Sequence, residues 1–265
     1  MIEPSLIPQS ALVAANALSQ HLLRVVRPCF WQRNGRILSG GSAFILRFEK
    51  RYVAVTADHV IQHYLMAVGR DPAVKCQLGQ CFISPREALI SRSQELDIAT
   101  FEVDPTKLKA MGAEPVDCRS DWPPPSVHVG DTLSLAGYLD NHRFEVEPGY
   151  YRHEAWGGHG LVEDVTARTI VTAYSYDQTA PLHSEAQQPP MKFNMSGCSG
   201  GLAVLVRNVE GKLKWTPAAL IYKGPTGESH GGFADFDMIH LRPLSFIGPD
   251  GTIGEGSADM RWLPS

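Results

Sequence analysis

The sequence has no excess of positive charge, no run of like charges, no paired-cysteine motif and no apolar stretch long enough to cross a bilayer. Each absence removes a class of protein. With 24 Lys and Arg against 28 Asp and Glu, the formal net charge is −4, so the chain lacks the basic face that would hold nucleic acid. The five cysteines, Cys29, Cys76, Cys81, Cys118 and Cys198, form no C-x-x-C pair. Their odd number and irregular spacing argue against a disulfide framework or a zinc knuckle. The first residues carry Glu3 where a secretory leader carries Lys or Arg, and Gln9, Ser10 and Asn16 interrupt their apolar character. The expectation is a cytoplasmic protein with free thiols, no membrane attachment, no nucleic-acid partner, no metal and no cofactor.

What is present suffices for a large folded unit: 265 residues, 43% hydrophobic and 20% charged. Residues 10–27, "SALVAANALSQHLLRVVR", predict an amphipathic helix, with Leu12, Ala15, Leu18, Leu22 and Val25/Val26 at three- and four-residue steps. After that the texture changes to short apolar or alternating runs separated by Gly, Pro, Asn and Asp. "GRILSGGSAFILRF" reads as two strands around Gly40-Gly41. "RYVAVTA", "LDIATFEV", "HVGDTLSLAGYL", "ARTIVTAYSY", "GLAVLVRN", "PAALIYKG" and "FDMIHLR" read as further strands. The class is all-β with one N-terminal helix. The Pro-rich stretch 104–127 has no sustained period and is the linker candidate. The chain divides into a helical extension (1–29), a first β-unit (30–110), a linker (111–127), a second β-unit (128–245) and a Gly-rich tail (246–265).

One segment asks for a chemical explanation. "NMSGCSGG", Asn194 to Gly201, makes a poor helix and a poor strand, since Gly loses more backbone entropy on folding than any other residue. It is either a surface turn or a tight loop whose N–H groups face a developing negative charge. Two other stretches bear on the choice. "YVAVTADHV" places His59 just after an apolar strand, and "SQELDIATFEV" places Asp97 at the mouth of another. A serine hydroxyl needs a neighbouring base, and the base needs a partner that fixes its tautomer. Glycines around Ser199 admit a substrate and let the N–H groups of Gly197 and Ser199 form an oxyanion hole.

These stretches resemble the trypsin-like (chymotrypsin-fold) serine peptidases, particularly bacterial members without disulfides. The resemblance rests on Thr56-Ala57-Asp58-His59-Val60, Asp97-Ile98-Ala99 and Gly197-Cys198-Ser199-Gly200-Gly201, in that order, with softer marks at Gly41–Leu46 and Gly130–Tyr138. It implies two six-stranded antiparallel β-barrels with the active site between them. It implies a serine endopeptidase acting through an acyl-enzyme, with His59 as general base then acid, Asp97 as its orienting partner and Ser199 as nucleophile. Its substrate-binding positions fall on Phe193, Asn194, Tyr222, Lys223 and Gly224, with a third pocket wall within 230–236. Phe193 at the pocket base disfavours a basic side chain, whereas Lys223 and His230 could favour an acidic one.

The departures are specific. Val60 stands where secreted animal relatives have a cysteine, and Leu202 replaces a proline. Cys198 replaces the aspartate that binds a freed N-terminus, so removal of the first nine residues is expected to leave activity intact. Cys198 and Ser196 are rival nucleophiles, each with a weaker match than Ser199. The His142/His153/His159 segment has no defensible metal-ligand spacing and reads as a loop or hairpin. The expected partner is a protein or peptide substrate. The alternatives are a peptidase idle until an activating protein partner orders its oxyanion loop, or an inert peptidase-fold binding module.

Overall fold

The computed structural model describes residues 9–147, 150–174, 194–210, 212–225 and 237–254. Helix α1 (Gln9–Val25) comes first and buries Leu18, Leu22 and Val25. Strand β1 (Arg27–Arg33) follows and turns at Asn34-Gly35 into β2 (Arg36–Arg47). Both turn residues have positive φ, the backbone that a tight two-residue hairpin requires and that an Asn-Gly pair adopts readily. Strand β3 (Tyr52–Thr56) leads directly into helix α2 (Asp58–Arg70), and β4 (Lys75–Leu78) and β5 (Cys81–Ile83) follow. A short helix α3 (Pro85–Ala88) precedes β6 (Leu89–Ser93) and β7 (Ile98–Val103). Helix α4 (Leu108–Met111) and a two-residue strand β8 (Val116–Asp117) lie in the Pro-rich connection.

These strands form one sheet in the order β5-β4-β1-β2-β3-β7-β6, with β8 parallel to β2 at its side. The second sheet contains β9 (Thr132–Glu147), β10 (Tyr150–Val165), β11 (Ile170–Tyr174), β12 (Leu202–Val209), β13 (Lys212–Lys223) and β14 (Asp237–Pro243). It closes on itself in the order β10-β11-β14-β13-β12-β9, a six-stranded antiparallel barrel. The protein is therefore all-β with two largely antiparallel sheets. The first sheet differs from a closed six-stranded barrel: among the described residues its end strands β5 and β6 do not pair, so it remains open.

Two local expectations are corrected. The run around Gly40-Gly41 is one strand, β2, not two. The glycines serve close packing: a Cβ on Gly40 would lie 2.7 Å from Phe30 Cβ, and one on Gly41 2.7 Å from Val60 Cγ2. Helix α2 is a second substantial helix, and it buries Val60, Ile61 and Tyr64 at helical spacing. The segment with His142, His153 and His159 forms the long β9–β10 hairpin.

The core of the first sheet includes Phe44, Val55, Ile98 and Phe101 and runs on through Leu202, Val204 and Leu220 to Phe246. The barrel has its own core around Leu133, Leu135, Trp156, Ile221, Ile239 and Leu241. Truncating one of the fully buried phenylalanines costs about 3–5 kcal/mol. The chain after β14 returns to the first sheet: Thr100 Oγ1 donates to the Gly251 carbonyl at 2.6 Å, and Ile247 bridges Ile253. The first part of the tail is thus docked, and 255–265 lie outside the described residues.

Candidate active site

Strand pairing brings His59 and Asp97 together. In the β3–β7 ladder Thr56 pairs with Ala99, so the residues just beyond β3 and just before β7 emerge at the same end. Asp97 Oδ1 accepts the His59 backbone N–H at 2.9 Å, and Oδ2 lies 2.8 Å from His59 Nδ1. A carboxylate oxygen accepts, so Nδ1–H is the donor in this pair and Nε2 is left to face another partner. Asp97 adopts φ 53°, a left-handed backbone that a non-glycine residue takes at a cost of about 1–2 kcal/mol. The His59 side chain is 37% exposed and can be reached from solvent.

A second acid holds the same turn from behind. Asp58, 1% exposed, receives Arg92 Nε at 2.6 Å and Nη2 at 2.8 Å, one on each oxygen. This bidentate pair pushes the Arg92 pKa up and places a negative charge in the first turn of α2, where the helix dipole favours it. In the sequence Asp58 stands only as part of the His59 stretch and nothing links it to Arg92; an acid at the first helical position after a strand is the one signal of its role.

The Ser199 loop is shaped by its glycines. Gly197 and Gly200 have φ of 93° and 91°. A Cβ on Gly200 would sit 1.8 Å from the Ser42 carbonyl oxygen, and one on Gly201 2.4 Å from the Ala136 oxygen. The loop thus lies against both sheets with no room for side chains. Ser42, fully buried on β2, ties it down: its N–H donates to the Ser199 carbonyl at 2.7 Å and its Oγ donates to the Gly197 carbonyl at 2.9 Å. The same Oγ accepts the Tyr138 N–H at 2.8 Å, and the Ser42 carbonyl accepts Thr56 Oγ1 at 2.7 Å. Val60 and the Ser199 carbonyl both press on Gly41, which places the His59–Val60 turn and the Ser199 loop on either side of one residue.

The loop's amides divide into two sets. The N–H groups of Cys198, Gly200 and Gly201 donate to the carbonyls of Met195, Ile221 and Cys198. Among the described residues, the N–H groups of Gly197 and Ser199 have no partner. Ser199 Oγ donates to the Tyr222 carbonyl at 3.4 Å rather than to His59.

The rival nucleophiles are placed elsewhere. Cys198 is buried in the barrel core, and a Cβ on Gly137 would meet its Sγ at 2.9 Å. Burial, and then the charge of Asp140, push its thiol pKa well up, so it is no thiolate. Ser196 donates through Oγ to Asp140 Oδ2 at 2.9 Å, and its N–H bonds Asn194 Oδ1 at 2.8 Å.

Of the expected substrate-binding positions, Asn194 opens the loop, Tyr222 and Gly224 touch it, and Lys223 lies between them on β13, paired with His240. Tyr222 sits in a bulge between the pairs Ile221–Leu241 and Lys223–His240. Gly224 packs on Met195, whose N–H donates to the Pro225 carbonyl. Phe193, His230 and the rest of 230–236 lie outside the described residues. Among the described residues, no group of three His, Cys, Asp or Glu side chains converges as metal ligands would. Nor is any helix among them long and apolar enough to cross a membrane.

No protein-family model and no curated protein matches the sequence. Solved structures similar to it include proteases. A thermostable serine protease, AL20, from an extremophilic microorganism is 14% identical, with TM-score 0.43 over 83% of this chain and 91% of that one. A serine endoprotease from Yersinia pestis is 15% identical, with TM-score 0.45 over 85% of this chain and 62% of that one. The protease Anisep from Arthrobacter nicotinovorans is 12% identical, with TM-score 0.43 over 83% of this chain and 90% of that one. At similarities this low, the architecture rests on the strand pairing and the chemistry on the residues themselves.

Proposed function

We propose that the protein is a trypsin-like serine endopeptidase with His59, Asp97 and Ser199 as its triad. The observation that carries this reading is the Asp97 carboxylate, which holds both the backbone and Nδ1 of His59 beside a glycine-shaped serine loop, two of whose N–H groups have no partner among the described residues. Ser199 Oγ leaves the Tyr222 carbonyl, passes its proton to His59 Nε2 and attacks the peptide carbonyl. Asp97 stabilises the imidazolium, and the N–H groups of Gly197 and Ser199 receive the oxyanion. His59 returns the proton to the departing amine, leaving an ester on Ser199. Water then attacks that ester, gives its proton to His59, and Ser199 recovers it as the acid product departs.

The substrate on this reading is a protein or peptide lying along Tyr222, Lys223 and Gly224, with Phe193 and Asn194 at the side-chain pocket. The two sheets act as functional halves joined by 111–127. The five free cysteines support a reducing, cytoplasmic setting.

A second reading has its own support. The bond from Ser199 Oγ to the Tyr222 carbonyl describes a resting serine that must turn before it can react. A protein partner that reshapes the 194–201 loop would switch such an enzyme on.

Fluorophosphonate labelling of the purified protein separates the readings. Reaction at Ser199 expels fluoride and forms a Ser199–phosphorus bond. Labelling abolished by Ser199→Ala and His59→Ala but kept by Cys198→Ala is the expected result. A folded wild type that takes no label would overturn the preassembled enzyme and leave a partner-dependent or inert module.

A further inference from the structure

We propose that Arg242, on β14 of the barrel, is a positioning residue that sets the geometry of Asp97 in the other sheet. The inference rests on the peptidase reading for its kinetic consequence, but not for its geometric one. Arg242 reaches from the barrel to the segment immediately before Asp97. Its Nε–H donates to the Leu96 carbonyl at 2.6 Å, and an Nη2–H points to the Glu95 carbonyl at 3.5 Å. Its Nη1 donates to the Arg168 carbonyl at 2.6 Å and to Thr169 Oγ1 at 2.9 Å, in the turn that joins β10 to β11. The guanidinium carbon, Cζ, lies over the ring of Tyr222, 4.3 Å from its centroid, and the Tyr222 carbonyl accepts Ser199 Oγ. One side chain therefore touches the acid's loop and the strand that receives the serine.

The physical need for such a clamp lies in the backbone. Asp97 holds the left-handed φ of 53°, and its two oxygens make two separate bonds to His59 that only one orientation satisfies. A residue in that region persists only where its surroundings over-determine it. Leu96, 1% exposed, fixes the segment from the inside, and its N–H is taken by Ser93 Oγ. Arg242 fixes the carbonyl side. A planar fork with five donors suits several carbonyls at once and can stack on a ring, which a lysine cannot reproduce.

The test compares wild type, Arg242→Ala, Arg242→Lys, Asp97→Asn and the double variant Arg242→Ala/Asp97→Asn. The first readout is the His59 Nδ1–H proton resonance in nitrogen-15-labelled protein, which needs no activity. It is expected in the wild type, weakened in Arg242→Lys and lost in Arg242→Ala, with the remaining spectrum that of a folded chain. The second is hydrolysis of a small ester. Arg242→Ala should lower kcat by about 10- to 100-fold with little change in KM, since a misplacement of about 1 Å costs on that order. The loss should shrink to within about twofold when Asp97 is already Asn, because a residue acting through Asp97 has nothing left to position.

An unchanged His59 resonance in Arg242→Ala overturns the inference. So does an equal loss of rate in both backgrounds, which would make Arg242 a general staple between the sheets. If Arg242→Ala does not fold, Arg242→Lys decides, and wild-type resonance and rate in that variant would overturn it. A wild type that hydrolyses nothing would sink the peptidase reading, and the resonance would still decide the role of Arg242.

Discussion

The half of the molecule that carries His59 and Asp97 holds its side chains with charge, and the half that carries Ser199 holds its loop with backbone. On the first sheet, the turn around His59 is fixed by two carboxylates, Asp97 on one side and Asp58 with Arg92 on the other. Around Ser199 the groups are the hydroxyl of Ser42, backbone amides and carbonyls, and glycines whose missing Cβ atoms let the loop touch both sheets. The difference matches the tasks proposed for the two halves. A base that becomes cationic during reaction gains from fixed negative charge nearby. A loop that receives an oxyanion gains from unpaired N–H groups, and a carboxylate there would oppose it. One carboxylate does border this loop, Asp140, and it is engaged there by Ser196 Oγ at 2.9 Å and by Arg143, whose positive charge offsets its own.

The largest test of the division removes the one side chain that belongs to both halves in function. Ser199→Ala should lower the rate of peptide hydrolysis by about 10⁴-fold or more, while thermal unfolding stays near that of the wild type. A mutant that retained substantial rate would move the nucleophile elsewhere and dissolve the comparison.

Next comes the charged half. Asp58→Asn leaves Arg92 facing a neutral amide from which it can take only part of its former bonding. Breaking one partner of a fully buried pair costs about 3–5 kcal/mol, and because Arg92 is half-buried and the amide is near-isosteric, the cost here should fall at or below the lower end. Because the next residue is His59, kcat should fall together with stability in calorimetry and kinetics. A double variant with Arg92→Leu should recover part of the stability. Failure of Asp58→Asn to destabilise would mean that the pair is not what holds the turn.

The backbone half has a paired test. Gly200→Ala meets both a positive φ and a Ser42 oxygen 1.8 Å from the new Cβ, so something must shift. Backbone strain alone is worth roughly 1–3 kcal/mol, and displacement of the loop should remove most of the activity. Gly69→Ala, at a helical position in α2 with nothing within 4 Å of the new Cβ, should instead raise stability by up to about 1 kcal/mol and leave activity alone. Equal effects at the two positions would show that close approach is not what the loop glycines provide.

Much of this was legible in the sequence, unevenly. The strands of the barrel announced themselves by alternation and β-branched residues, as in "GLAVLVRN" and "ARTIVTAYSY". The His59, Asp97 and Ser199 stretches were legible because each sits at a strand end, where local pattern and site coincide. Helix α2 was missed because Thr56-Ala57-Asp58 reads as the exit of a strand, although Val60, Ile61 and Tyr64 already carry the helical period. Gly40-Gly41 suggests a break between two strands because close packing against Phe30 and Val60 leaves no mark in the local sequence. Ser42 and Arg242 stayed hidden for the same reason: their partners lie far along the chain, at Gly197, Tyr138, Leu96 and Arg168. That the first sheet stays open while the second closes depends on how the end strands meet, which periodicity does not record.

The smallest effect tests whether a titrating group outside the site obeys the same division. His153, on β10, stacks on Phe30 at 4.8 Å between ring centroids, and its buried Nε2 lacks a partner among the described residues. Burial, and then the charge of Arg143, lower its pKa to about 4 from the ordinary 6.5. The unfolded chain therefore binds a proton at this residue before the folded one does. Its contribution to stability is full above about pH 6.5 and is lost as the pH falls toward about 4. The ring is partly open to solvent, so screening reduces the loss to an estimated 1–2 kcal/mol, of which His153→Phe should remove most. Denaturant melts of the two proteins across that range should show a flatter profile for the variant. Parallel profiles would place the acid sensitivity of the fold in other groups.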